Sequence, residues 1–296
     1  MPTTRSPQPL RGVRVLSLAL NLPGPAAFMR LRAMGAACTK LEPPAREGAS
    51  GDPMGQYNPP AYAQMHEGVK VLTADLKTEA GQAALHKLLL RTDVLLTSFR
   101  PSALTKLGLS WTALRKRYPA LAMVAIVGAP GERAEEPGHD LTYLADAGLV
   151  TGLDLPATLF ADMGGALMAA EAVLKAVLLQ RTTGRGSFHE VALSDAASWL
   201  ALPRTWGLTQ PKGAVGGAHA GYRVYPCKDG RVAVAALEPH FAAALCEAAG
   251  VADGQRMKTL FAPATHGAIA RFLAGRTRQQ LDKLAAERDI PLHTLA

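Results

Sequence analysis

Cysteine is scarce in this chain: Cys38, Cys227 and Cys246 are the only three, with no CxxC pair among them. An odd number without that spacing argues against a disulfide framework, and no nearby histidine completes a zinc set, so three plain thiols in a reducing compartment are expected. Aromatic residues are only 5% of the chain, a thin supply for the stacking platforms on which nucleic-acid bases lie. Long apolar runs are missing too. The run Val13 to Leu20 is far shorter than the ~20 residues a membrane span needs, and the lead MPTTRSPQPL is polar, unlike a secretory signal. A soluble, cytoplasmic protein is expected. No GxGxxG string occurs, which leaves a dinucleotide fingerprint unsupported, and no internal repeat or low-complexity tract is evident.

What the chain does have is apolar bulk and positive charge. Its 296 residues are 48% hydrophobic, enough for one large domain and a smaller one. The formal net charge is +8, from 32 Lys and Arg against 24 Asp and Glu. These basic residues are scattered, and the one cluster, RKRYP at Arg115 to Pro119, reads as a solvated helix end, so nucleic acid is not expected. A basic field also raises encounter rates with small polyanions.

Along the chain, apolar strand patterns at Val13–Ala19, Ala37–Leu41, Val69–Thr73, Val94–Phe99 and Ala122–Val127 alternate with helical ones. That is the signature of a doubly wound, Rossmann-like parallel α/β sheet. Glu42 to Tyr62, rich in Pro and Gly, reads as a long loop. The sequence LTQPKGAVGGAHAG reads as a linker, dividing a large domain (1–206) from a smaller α+β domain (222–296) across residues 207–221. The second opens with a hairpin around Lys228-Asp229-Gly230.

The stretch Gly138 to Ala197 carries the chemistry. Between Met163 and Leu179 the residues Leu167, Ala170, Leu174, Val177 and Leu178 recur with helical period, which places Asp162 at the N-cap. Gly164 and Gly165 then fall in the first turn, where they weaken a helix unless something needs close approach to its backbone, a bound ligand being one candidate. The free N–H groups of a helix start favour an anion and the ionised form of Asp162. Aspartate is equally a common structural cap, and His139 in GHDLTYLA reads by itself as a cap or a core histidine.

GHDLTYLA, ADMGG and LLQRTTGRGSFHEVALSDAA together resemble the core of the family III CoA-transferase superfamily, and most closely its α-methylacyl-CoA racemase branch. The resemblance continues through PLRGVRVLSLA, MGAACTKLEPP, TADLKTEAG, DVLLTSFRPSALTKLGLS and YRVYPCKDGRVAVAALEPHF. It implies a CoA-binding large domain, an acyl-CoA substrate, a homodimer of interlocked chains, and no metal or cofactor beyond the coenzyme A of the substrate. Motif for motif, it places CoA contacts at Leu22 and Pro23, at Ala74, Asp75, Leu76 and Lys77, at Ser98, Phe99 and Arg100, at Lys106, and at Gly138, Asp140 and Tyr143. Gly164 and Gly165 join this set. Arg100 and Lys106 suit phosphate, to which guanidinium and ammonium groups make charge-assisted bonds.

Two departures from the family pattern stand out. His66-Glu67-Gly68-Val69-Lys70 replaces a string with a basic residue at the fourth place, so that either Lys70 substitutes as the phosphate contact or that contact is lost. The chain also ends at DIPLHTLA, without the segment by which members return to the large domain, and interlocking depends on whether this end permits it.

The resemblance implies two reactions. In the transferases the helix-start carboxylate attacks the thioester and becomes a carboxylate-bound CoA thioester. In the racemases it exchanges the proton on the carbon next to the thioester carbonyl, opposite a histidine. His139 and Glu238 stand where the racemase histidine and glutamate stand, so α-carbon epimerisation of a 2-methyl-branched acyl-CoA through an enolate is the leading expectation, with His139, Asp162 and Glu238 catalytic. CoA transfer through Asp162 is the alternative, and a CoA-binding member without turnover is the third.

Overall fold

The computed structural model describes residues 7–45 and 50–296; most of the polar lead, and residues 46–49 of the expected long loop, lie outside the described residues. By contact density the chain divides into two units, one ending at Ala201 and one beginning at Leu202. The division falls ahead of the Gly/Pro/Ala-rich stretch, and that stretch is bonded into the second unit, where Ala220 N–H donates to Leu260 O at 2.8 Å.

The first unit runs β1 (Arg14–Ser17), α1 (Pro23–Ala33), β2 (Ala37–Glu42), α2 (Pro53–Tyr57), α3 (Pro59–Met65), β3 (Lys70–Thr73), α4 (Glu79–Leu89), β4 (Val94–Thr97), α5 (Pro101–Lys106), α6 (Trp111–Arg117), β5 (Ala122–Val127), α7 (Asp140–Asp146), α8 (Phe160–Thr183), β6 (Phe188–Ala192) and α9 (Leu193–Leu200). Its sheet has the order β3-β2-β1-β4-β5-β6, and every pairing is parallel. That is the doubly wound arrangement expected from the alternation of patterns. Because side chains alternate across a strand, Val94, Leu96, Val124 and Ile126 join α1 and α8 in one core. Leu95, Met123 and Ala125 join α4, α5 and α6 in another, on the opposite face.

Three sequence expectations are corrected. The second half of the segment expected as a loop from Glu42 to Tyr62 forms α2 and the start of α3. Asp52 and Asn58 cap them by accepting from Met54 N and Ala61 N, with proline opening each helix. Helix α8 begins three residues earlier than expected, with Leu159 as N-cap, so Asp162 is inside the first turn and not the cap. The buried face of α8 keeps Ala170, Val177 and, in part, Leu174 of the expected positions but loses the other two. Ala166, Ala169, Ala170, Val173, Ala176 and Val177 pack in the core, whereas Leu167 and Leu178 are exposed at 54% and 62%. A helix this rich in alanine and leucine fixes its own phase only weakly by period, and alanine lets α8 approach α1 and the sheet closely.

The RTTGRG string acquires a reason residue by residue. Gly184 ends α8 in the left-handed region at φ 69°. Gly186 passes so close to β5 that a Cβ built on it would lie 1.8 Å from Leu121 O. Gly186→Ala therefore requires main-chain movement and is expected to cost at least about 2–3 kcal/mol of stability; urea unfolding checks this, and an unchanged midpoint would contradict the close approach.

The second unit holds α10 (Leu202–Thr205), β7 (Tyr222–Cys227), β8 (Gly230–Ala235), α11 (Pro239–Ala248), α12 (Met257–Leu260), α13 (Pro263–Ala274), α14 (Arg278–Arg288) and β9 (Leu292–Leu295). The hairpin β7–β8 closes Cys227 against Gly230. The chain's last residues, unassigned from sequence, form β9 antiparallel to β8. Among the described residues no helix is long and apolar enough to cross a membrane.

Candidate active site

A doubly wound sheet leaves a crevice beyond the carboxyl ends of its strands, where the strand order reverses. Here the reversal lies between β1 and β4. A cavity of about 790 Å³ opens there, lined by Leu20 to Pro23 after β1, Ser98 to Arg100 after β4, and Ile126 to Gly128 at the end of β5. The GHD turn closes another side with Gly138, His139, Asp140 and Tyr143, and Asp162 of α8 faces it.

The GHD residues divide the work of building this wall. His139 is the N-cap of α7 by conformation, and its backbone N–H donates to Thr142 Oγ1 at 3.1 Å; the imidazole is left exposed on the cavity. Asp140, only 5% exposed, accepts the backbone N–H of Asp162 at 2.9 Å on Oδ1. A side chain 22 positions upstream thus caps the start of α8 and fixes where its reactive residue stands. Tyr143 slots against two glycines: a Cβ on Gly128 or Gly138 would lie 2.3 or 2.6 Å from its hydroxyl.

These contacts work against the helix start, which favours the ionised form of Asp162. Burial, and then the Asp140 carboxylate, push the Asp162 pKa from 3.8 up to about 6, with His139 acting in the opposite direction. Desolvation and a neighbouring like charge outweigh the helix dipole. A carboxyl titrating there is matched to proton exchange near neutrality. Any reaction that needs the Asp162 carboxylate in the free protein is therefore expected to gain in kcat/KM as pH rises through about 6 and to level off above it. A flat pH–rate profile from pH 5 to 8 would contradict that dependence.

The remaining expected contacts are spread more widely. Leu22, Pro23, Ser98, Phe99, Arg100, Gly138, Asp140 and Tyr143 all line the 790 Å³ cavity. Leu76, Lys77 and Lys106 line a second opening of about 840 Å³ between the start of α4 and the end of α5. Ala74 and Asp75 line neither: Asp75 accepts Lys77 N in a turn, and Ala74 N donates to Glu42 O. Lys70 is exposed at the first position of the edge strand β3 and also lines neither. Gly164 and Gly165 face α9. Built Cβ atoms would meet Ala196 and Leu200 at 3.3 Å and Leu193 at 2.3 Å, so helix packing gives a reason for these glycines. Glu238 is the exposed N-cap of α11, in the second unit.

Sequence reading missed Asn21, Met54 and Tyr57, which also line the cavity. Asn21 had a usable signal, since it stands in a turn where its φ of 62° is tolerated by asparagine. Met54 and Tyr57 sat in the segment taken for a loop.

A model of CoA-transferase family III matches residues 10–296. The chain belongs to CoA-transferase family III. Among relatives, the probable fatty acyl-CoA transferase Rv3272 of Mycobacterium tuberculosis is 33% identical over 217 residues, covering 68% of this chain and 54% of that protein. Human α-methylacyl-CoA racemase is 29% identical over 260 residues, covering 82% of this chain and 65% of the racemase. The crystal structure of Rv3272 matches with a TM-score of 0.82 at 25% identity, covering 98% of this chain and 86% of that one. A CaiB/BaiF family protein from Brucella suis matches with 0.79 at 25% identity, covering 98% and 85%. The matched sequence thus spans about half to two thirds of these two curated relatives.

Proposed function

We propose that this family III chain acts on acyl-CoA thioesters and epimerises the α-carbon of a 2-methyl-branched acyl group through an enolate. The observation that carries the reading is Asp162: a carboxyl with its pKa raised to about 6, at a cavity that also receives the His139 ring. One group removes the α-proton, the electron pair passes into the thioester carbonyl, and the other group returns a proton to the opposite face. Asp140 positions Asp162 through its backbone N–H. Glu238 is assigned as the relay partner of Asp162 on the resemblance alone. Arg100 at the cavity, and Lys77 and Lys106 at the second opening, are the cations assigned to the CoA phosphates.

Incubation with a single epimer in D₂O, without an acceptor acid, tests this. Deuterium entering the α-position with loss of optical purity supports epimerisation; no label exchange there, with CoA transfer once a carboxylic acid acceptor is supplied in a parallel reaction, rejects it.

Transfer is the second reading, favoured by the relatives named as transferases and by the same carboxylate. Asp162 would attack the thioester carbonyl, releasing CoA thiolate and leaving a mixed anhydride. The thiolate then attacks the aspartyl carbonyl, expelling the acyl group as carboxylate. A protein that binds acyl-CoA without turnover is the third reading.

A cytoplasmic homodimer completes the proposal. The exposed Leu167 and Leu178 on α8 and Trp199 on α9, the last at 70% exposure, support coverage by a second copy. Sedimentation at the mass of one chain would contradict the dimer.

A further inference from the structure

Among the described residues the most deeply buried charges lie together, apart from the reacting groups. Lys40 of β2 and Asp52 are 0% exposed, with Glu42 at 4% and His66 at 7% beside them. The Lys40 ammonium donates to Asp52 Oδ2 and to His66 Nε2 at 2.9 Å, and it pairs with the Glu42 carboxylate, 3.0 Å from Oε1. His66 Nδ1 donates to Tyr62 O at 2.7 Å, leaving Nε2 to accept, and the Tyr62 hydroxyl donates to Glu42 Oε1 at 2.8 Å. Glu42, Asp52 and His66 present ligand atoms within 4.8 Å of one another. Two carboxylates and an imidazole form a donor set suited to a divalent cation, and here an ammonium contacts all three.

A buried ion pair is weak evidence of stabilisation, because desolvation offsets much of the attraction. Its outward connections are more informative. The other oxygen of Asp52 accepts Asn21 N at 3.0 Å and Met54 N at 2.9 Å. Asn21 is held in the left-handed region at φ 62°, and its side-chain oxygen accepts the Tyr57 hydroxyl at 3.2 Å. Asn21, Met54 and Tyr57 face the same cavity as Asp162. One carboxylate, itself held by Lys40, thus ties the turn after β1 to helix α2 at the rim of the site.

We propose that Lys40 is a positioning residue, an internal cation in the place a metal ion would take, which acts through Asp52 to hold Asn21 and Tyr57 against the thioester end of the substrate. The role in substrate binding rests on the acyl-CoA reading above; the tie between Lys40 and the rim does not.

The test uses the full chain as Lys40→Met, Lys40→Ala, Asp52→Asn and, as a surface control, Lys175→Met. Hydrogen exchange is followed by mass spectrometry, with acyl-CoA kinetics alongside. Lys40→Met is expected to speed exchange in peptides covering residues 20–22 and 53–57 while β5 stays protected, and to raise the acyl-CoA KM about tenfold with kcat nearly unchanged. Partial unfolding would instead lower apparent kcat at constant KM. Asp52→Asn, which keeps an oxygen for Asn21 and Met54 but loses the charge facing Lys40, is expected to act in the same direction and decides the matter if Lys40→Met does not fold. Lys40→Ala in added Zn²⁺ is expected to recover rim protection, with Glu42, Asp52 and His66 holding the ion.

Unchanged exchange at the rim, exchange rising equally in β5, or a loosened rim with an unchanged KM would each overturn the proposal. If wild type turns over no acyl-CoA, the acyl-CoA reading fails in wild type, and rim exchange with the Zn²⁺ response still decides whether Lys40 holds the rim.

Discussion

Asp162→Asn is expected to abolish epimerisation and CoA transfer alike, with turnover reduced by at least about 10³-fold, while making the folded protein more stable at pH 7. The loss follows because the amide neither takes up a proton nor attacks a thioester. The gain follows from burial. The carboxyl titrates at about 6 in the folded chain against 3.8 ordinarily, so the folded state holds its proton more tightly than the unfolded one. Stability therefore declines as pH rises from about 4 to 6, and the full penalty is present above that range. The displacement corresponds to about 3 kcal/mol, which solvent screening reduces to about 1–2 kcal/mol. Asparagine, which does not ionise, escapes the penalty. Urea melts should show a higher midpoint for the variant at pH 7 and little difference at pH 3.5. A variant less stable at pH 7 would contradict the electrostatic account of the site.

His139→Ala separates the two reactions. The histidine caps α7 through its backbone, and the N–H to Thr142 bond does not involve the ring, so the fold should be little affected. Deuterium wash-in should fall by about 10²–10⁴-fold, the usual contribution of a positioned acid or base. Trapping of an Asp162 anhydride with hydroxylamine, if transfer is the reaction, should persist because that step does not need the ring. Equal loss of both activities would show that His139 serves binding, not proton exchange.

Much of this was legible in the sequence, for reasons that differ element by element. The doubly wound sheet followed from alternating patterns because each buried strand carries apolar residues on both faces, as β5 does with Met123 to Val127. The residues around the cavity followed from motif resemblance: ten of the expected positions, from Leu22 to Asp162, line it. The phase of α8 was legible only in part, because a helix this rich in alanine and leucine fixes it only weakly by period. Nor was the reason for Gly164 and Gly165, since contact with α9 depends on residues 28 and more positions away, such as Leu193. The Lys40 network was hidden for a similar reason. Its members are dispersed from residue 40 to residue 66, and Asp52 lay in a stretch whose Pro and Gly content reads as loop, although the Asp-Pro and Asn-Pro pairs that open α2 and α3 were visible.

The central claim is that a thioester carbonyl lodges at the mouth of α8 beside Asp162. A crystal structure of the full chain with a bound, non-epimerisable acyl-CoA analogue tests it most directly. The account predicts the carbonyl carbon or the α-carbon at about 3–3.5 Å from an Asp162 carboxylate oxygen, with the His139 ring on the opposite face of the thioester plane. An acyl chain seated away from Asp162, with that carboxyl out of reach of the thioester, would contradict it.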